Sequence, residues 1–156
     1  MVKVLFVCLG NICRSPMAEA VFRHKVKEAG LEDKISIDSA GIGHWHVGKP
    51  PHEGTRRILT ENNIDYAGIT ARQISSEDLE EFDYIIAMDE ENVRHLKKLA
   101  LEEHHSKIVR LLELLPGSDI LNVPDPYYTG NFEHVYELIN NSCEHLLRHI
   151  QQREQL

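Results

Sequence analysis

The sequence predicts an α/β fold: a four-stranded parallel sheet flanked by helices on both faces, in a single domain over residues 1–156, with a phosphate-binding loop after the first strand. Three observations predict it. Four short strand-like segments alternate with stretches of helical periodicity, which implies right-handed β-α-β crossovers and parallel pairing. The first segment, residues 2–8, is apolar nearly throughout, as in a central strand covered on both faces. The stretch Val7-Cys8-Leu9-Gly10-Asn11-Ile12-Cys13-Arg14-Ser15-Pro16 then joins it to a helical pattern, at the strand's carboxyl end, where parallel sheets bind ligands.

Taken in order, Ser15 is read as the cap of the first helix, with Pro16 at its first position. Ala18, Val21, Phe22, Val26 and Ala29 share one face, and Gly30 ends the helix. Residues 35–41 form the second strand, followed by a Gly- and Pro-rich loop from Gly41 to His52 around Trp45. A helix runs from about Glu53 to Asn63, with Ile58 and Leu59 inward. Residues 83–88 are the third strand, and Asp89 caps a helix through about Leu101. Residues 107–112 are the fourth strand. Residues 113–130, punctuated by Pro116, Gly117, Pro124, Pro126 and Gly130, read as a long loop of the kind that is usually functional in compact domains. The final helix carries Phe132, Val135, Tyr136, Ile139, Cys143, Leu146, Leu147 and Ile150 at three- and four-residue steps. That stripe packs on the sheet.

A chain of 156 residues buries roughly 70% of its unfolded surface in one core and needs no disulfide staple. No apolar run approaches about 18 residues, so no membrane span is expected. Met1 to Val7 reads as a buried strand rather than a signal peptide, because Asn11 and Arg14 interrupt it and no small-residue cleavage site follows. Three cysteines without repeated spacing argue against a disulfide framework and for the reducing cytoplasm. A net charge of −8 disfavours nucleic acid as a partner, so an anionic substrate must be drawn by local field. The ten histidines show no metal-ligand spacing beside other ligands, and His104-His105 reads as a solvated helix end. No metal or cofactor is expected.

The loop after the first strand suits a dianion, since successive backbone N–H groups and a helix N-terminus converge there. It is not a nucleotide-binding loop, because it lacks the lysine and second glycine that pattern requires. Cys8 and Arg14 bracket it with five residues between, so a nucleophile and a guanidinium fork address the same tetrahedral group. Loop N–H groups that hold phosphate also stabilise a thiolate. Ser15 is placed to hydrogen-bond that sulfur. Asn11 is read both as a turn residue tolerant of positive φ and as an amide that ties the loop. Departure of an oxygen leaving group needs a proton, and among 25 acidic residues Asp125, in Pro124-Asp125-Pro126-Tyr127-Tyr128, stands out for its restricted backbone and flanking aromatics. Asp89 is read first as a helix cap and only second as a residue that orients Arg14.

These features resemble the low-molecular-weight protein tyrosine phosphatases, and the resemblance covers essentially the whole chain. The opening strand, the loop Val7 to Pro16, Asp38-Ser39-Ala40-Gly41, Ala71-Arg72-Gln73, Ala87-Met88-Asp89 and Asp125-Pro126-Tyr127 occur in the family's order. The resemblance implies that Cys8 is the nucleophile, Arg14 the phosphate binder, and Asp125 first acid and then base. Hydrolysis would be metal-independent and pass through a cysteinyl phosphate. Leu9, Gly10, Asn11, Ile12, Cys13 and Ser15 would form the phosphate-binding loop, supported by Ser39. Trp45, Tyr127 and Tyr128 would line the rim, favouring a flat aryl phosphate over phosphoserine. The expected partner is a phosphotyrosine protein or peptide, and the expected state a monomer. Many members carry a histidine two residues before Ala-Arg-Gln, where this chain has Ile69.

Two alternatives stay open. Related bacterial enzymes that remove phosphate from arginine tend to carry threonine where this chain has Ile12, so Ile12 favours phosphotyrosine over phosphoarginine. Thiol-linked arsenate reduction needs a second cysteine relay, and only Cys143 lies outside the loop, on the buried helix stripe. Cys13 is read either as packing beneath the loop or as a redox partner that traps oxidised Cys8 in a disulfide.

Overall fold

A computed structural model describes all 156 residues. Strands β1 (Val2–Cys8), β2 (Ile35–Gly41), β3 (Tyr84–Ala87) and β4 (Ile108–Arg110) form one parallel sheet in the order β2-β1-β3-β4. The apolar run is thus the inner strand it was read to be: Val4 to Val7 are wholly buried. Side chains alternate across the sheet. Val4, Phe6, Cys8, Ile86 and Met88 face helices α1 (Arg14–Glu28), α2 (Glu53–Glu61) and α6 (Phe132–Glu154). Leu5, Val7, Ile85 and Ala87 face α3 (Ser76–Glu81) and α4 (Glu90–Leu99). The predicted fold class therefore holds, with helices on both faces.

Several boundaries differ from the sequence reading, each for a local reason. Helix α1 begins at Arg14 with Cys13 at its cap, not at Ser15. The Ser15 hydroxyl is engaged by Cys8 and Asn11 and does not cap. Pro16 then falls third in the helix, still within the turn whose N–H groups lack helical partners. Ala29 is exposed, because the buried face ends at Val26. The fourth strand is short: Leu111 and Leu112 both pack into the same core on one face of the sheet, whereas consecutive strand residues point to opposite faces, and a 3-10 turn at Leu111–Leu114 turns both to that side. The long loop holds one further element, α5 (Pro126–Thr129), capped by Asp125 and ended by Gly130 in the left-handed region. Helix α3 went unread, although Ser75 and Asp78 form a capping box that the sequence spells out. The α6 stripe is as predicted, with Phe132 and Tyr136 partly covered.

Two features bring the site's supports together. Glycine at position 41 leaves room for the loop, because a Cβ there would lie 3.0 Å from both the Asn11 Cβ and the Gly10 carbonyl carbon. Its N–H donates to the Arg72 carbonyl, drawing the 71–73 segment against β2. Arg72 is clamped in turn by Asp38 and by both oxygens of Asp78. Burial alone would raise the Asp78 pKa, but hydrogen bonds from Arg72 and Ser75 outweigh it and hold the carboxyl below its ordinary 3.8.

A folded pKa below the unfolded one stabilises the fold fully above the unfolded value, and that contribution is lost as pH falls through the folded one. Asp78→Asn is therefore expected to cost about 1–3 kcal/mol in urea denaturation at pH 7. The gap from the native protein narrows as pH falls through the folded pKa of Asp78, which lies below 3.8, and closes once the native protein too has lost the carboxylate. A gap that persists undiminished in acid would rule out the charge as its source.

Candidate active site

Cys8 ends β1 and Arg14 opens α1, so the strand and the helix fix the two ends of the loop. Both side chains are almost fully covered, at 3% and 2% exposure. Between them the chain turns through Asn11 at φ 55°, the left-handed region that asparagine tolerates. The Asn11 N–H points at the Cys8 sulfur (3.3 Å) and the Ser15 hydroxyl lies 3.0 Å from it. The Asn11 amide also works as a tie: Nδ2 donates to Ser15 Oγ (2.7 Å) and Ser39 Oγ (3.0 Å), while Oδ1 accepts from the Arg72 N–H (3.0 Å). Both sequence readings of Asn11 hold together.

The guanidinium of Arg14 is held from behind. Nη1 donates to Asp89 Oδ2 (2.8 Å) and to the Val123 carbonyl (2.9 Å), and Nη2 lies 3.4 Å from Asp125 Oδ2. Asp89 thus serves both readings at once, since its other oxygen caps α4 through the Asn92 N–H (2.8 Å). The Arg14 Nε is buried with no hydrogen-bond partner in the protein. Burial works against the Arg14 charge, but Cys8, the Asp89 hydrogen bond and Asp125 push its pKa above the ordinary value. Asp125 comes from the far loop to the same point, its Oδ1 accepting the Tyr127 N–H at the start of α5.

A cavity of about 310 Å³ opens over these groups, lined by Cys8, Leu9, Gly10, Ile12, Cys13, Arg14, Trp45, His46, Asp125, Tyr127 and Tyr128. Every predicted loop and rim residue reaches it except Asn11, Ser15 and Ser39, which lie beneath. Trp45 and Tyr128 are rim groups in the plainest sense, 61% and 75% exposed. His46 was missed as a wall residue; adjacency to Trp45 was its only signal. His52 caps α2 with Nδ1, stacks on Phe132 at 5.0 Å and meets the Tyr127 edge at 6.0 Å, tying the wall to two helices. Cys13 is buried, and burial, Cys8 and Asp125 together raise its thiol to about 12. Ile69 is packed in the main core and offers no polar group.

A parallel α/β sheet with a Cys-to-Arg anion loop at its central strand and an aspartate opposite defines a class of phosphate-handling proteins, and the comparisons narrow it. Residues 3–156 match the sequence profile of the low molecular weight phosphotyrosine protein phosphatases. The low molecular weight protein-tyrosine-phosphatase YfkJ of Bacillus subtilis is 58% identical over 156 residues, with both chains fully covered. Its crystal structure superposes with a TM-score of 0.96, covering 98% of this chain and 96% of that one. PtpA of Staphylococcus aureus, a low molecular weight protein-tyrosine-phosphatase, is 45% identical over 150 residues, covering 96% of this chain and 94% of its own. The crystal structure of DARP, a drosophila arginine phosphatase, gives a TM-score of 0.88 at 36% identity, covering 96% and 98%. This chain belongs to the low molecular weight phosphotyrosine protein phosphatase family.

Proposed function

We propose that the protein hydrolyses phosphotyrosine in proteins and small aryl phosphates through a cysteinyl-phosphate intermediate. The observation that carries this reading is the Arg14 guanidinium. It is buried, charged and held through Nη1 by Asp89 and Val123, its residue lines the cavity together with Cys8, and its Nε has no hydrogen-bond partner in the protein. An orphaned donor of this kind calls for a ligand acceptor, and a phosphoryl oxygen supplies one.

The Cys8 sulfur attacks phosphorus, forming the S–P bond as the bond to the phenolic oxygen breaks, and Asp125 delivers a proton to that oxygen. Water then attacks phosphorus while the Asp125 carboxylate takes its proton. The S–P bond breaks, releasing inorganic phosphate and the thiolate. Arg14 and the loop N–H groups meet the charge on the phosphoryl oxygens throughout, so no metal is required. Asp89 acts through Arg14. Asp89→Asn keeps an acceptor but removes the charge, and is expected to lower kcat/KM by roughly ten- to a hundredfold, with the α4 cap retained.

The cavity's aromatic walls of Trp45, Tyr127 and Tyr128 favour a flat aryl ester. Phosphoarginine hydrolysis is the second reading, favoured by the likeness to an arginine phosphatase. Ile12, buried against Cys13 and Ala71, supports phosphotyrosine instead. Arsenate reduction has no support in Cys143, which is wholly buried in the main core and absent from the cavity wall. Purified protein assayed on phosphotyrosine and phosphoarginine with chelator present tests the reading. Faster turnover of phosphoarginine, or loss of activity with chelator, would overturn it.

The same reading extends to Cys13 as a redox partner. In the resting protein its thiol is held up at about 12, with Cys8 the second cause after burial. Oxidation of Cys8 to a neutral sulfenic acid removes that charge and makes Cys13 a better nucleophile toward it. After peroxide, Cys13→Ser is expected to recover poorly with added thiol where the native protein recovers. The unpaired cysteines suit the reducing cytoplasm, and one copy of the chain, a monomer, supplies every group named.

A further inference from the structure

The chain is held differently on the two sides of Asp125. Upstream, Val123 is buried, its N–H donates to the Met88 carbonyl just past β3 (2.8 Å), and its own carbonyl accepts from Arg14 (2.9 Å). Downstream, α5 is a single turn of which only Pro126 is buried. Tyr127 is 52% exposed, yet its N–H is the donor to Asp125 Oδ1 (3.1 Å). The direction of the carboxyl therefore follows the placing of Tyr127.

What places Tyr127 is side-chain packing. Its ring meets that of His52 edge to face at 6.0 Å, and also touches His46 (6.1 Å) and Tyr128 (5.3 Å). Tyr128 is itself exposed, and the buried Nδ1 of His46 has no partner. Of these three rings only that of His52 is held by a hydrogen bond: its Nδ1 accepts from the Gly54 N–H (3.0 Å), which caps α2 and leaves the ring's proton on Nε2. The His52 backbone N–H donates to the Ile12 carbonyl (2.7 Å), within the loop between Cys8 and Arg14. On its other contact the ring stacks on Phe132 at 5.0 Å. Phe132 opens α6 and lies against Gly54, where a Cβ would come within 2.5 Å of its ring. One residue thus touches the Cys8 loop, α2, α5 and α6.

We propose that His52 is a positioning residue for Asp125: its ring, fixed to the Cys8 loop and to α2, seats Tyr127 and so holds the Asp125 carboxyl in register with the sulfur. The inference rests on Cys8 and Asp125 acting as nucleophile and acid. It gives His52 two separable duties, a nitrogen that caps a helix and a ring that supports the acid.

The test compares His52→Ala, His52→Asn, His52→Phe, Asp125→Ala and Asp125→Ala/His52→Ala with the native protein on phenyl phosphate and p-nitrophenyl phosphate. Thermal melting and amide hydrogen exchange over residues 124–130 are measured alongside. His52→Ala is expected to lower kcat/KM about tenfold on phenyl phosphate and no more than about twofold on p-nitrophenyl phosphate, because a displaced acid is felt most where the leaving group needs its proton. Exchange over 124–130 quickens with it. His52→Asn still caps α2 but presents no ring, so it melts close to the native protein and loses phenyl phosphate activity as the alanine variant does. His52→Phe keeps a ring and drops the cap, so it melts earlier but retains most of the activity and the slow exchange. In the Asp125→Ala background, His52→Ala costs nothing further on phenyl phosphate.

Equal losses on the two esters, a further loss in the Asp125→Ala background, or activity that follows the cap rather than the ring would overturn the inference and leave His52 a helix cap. Native exchange and native leaving-group dependence in His52→Ala would overturn it as well, with Val123 and Pro126 then sufficient to hold the acid. Failure of the phosphatase reading looks different: the native protein then turns over neither ester, while exchange over 124–130 across the three His52 variants still decides whether the ring seats α5.

Discussion

Cys8→Ser is expected to abolish turnover of phosphotyrosine and p-nitrophenyl phosphate, by about 10⁴-fold or more, while phosphate esters still bind. The separation follows from the geometry. The groups that would grip a phosphoryl group are the Arg14 guanidinium, fixed by Asp89 and Val123 without the sulfur, and the loop N–H groups, of which that of Asn11 points at the atom in position 8. Serine keeps a hydroxyl in the place of the thiol and a hydrogen-bond partner for Ser15, so the loop should hold its shape. What is lost is sulfur as the attacking atom, and a serine hydroxyl is a far weaker nucleophile toward phosphorus than a thiol. Binding of vanadate or phosphate measured by calorimetry, alongside steady-state rates, checks both halves. Retained turnover would remove Cys8 from the reaction; lost binding with lost turnover would mean that the loop itself had collapsed.

Asp125→Ala is expected to slow aryl ester hydrolysis by roughly 10²- to 10⁴-fold for poor leaving groups and much less for activated ones such as p-nitrophenolate. A leaving group that is stable as an anion departs without a proton, so only the poor ones feel the missing acid. The substitution also removes the cap that Asp125 gives the Tyr127 N–H and its contact with Arg14 Nη2 at 3.4 Å. A series of aryl phosphates of graded leaving-group acidity separates these effects. A steeper dependence on leaving group marks the lost proton donor, whereas a uniform drop across the series would assign Asp125 to positioning alone.

The parts legible in the sequence were those carried by local pattern. The apolar run of β1, the Cys-to-Arg spacing, the α6 stripe and the Asp89 cap each depend on residues within a turn or two of one another, and each stands in the structure as read. Some local signals were overridden. Ser15 had the chemistry of a helix cap, but its hydroxyl is taken by Cys8 and Asn11, so the helix starts two residues earlier and Arg14 is set on its first turn. Leu111 and Leu112 read as strand, yet both pack into the same core, and a 3-10 turn is what brings two consecutive side chains to one face. The capping box of α3 was present and overlooked.

By itself the sequence determined the sheet, the loop that ends its first strand, and the pairing of a cysteine with an arginine and a distant aspartate. Those follow from periodicity and from chemistry that few residue types can supply. Only the tertiary structure decided what holds them. Asp89 and the Val123 carbonyl meet Arg14 from 75 and 109 positions along the chain, and Ser39 joins Asn11 to Glu19 across 28 and 20. No periodicity records such contacts, because they arise only when parallel crossovers bring strand ends and loop tips to one edge of the sheet. In the sequence Glu19 is one acidic residue among 25; burial beneath that edge is what separates it from the rest.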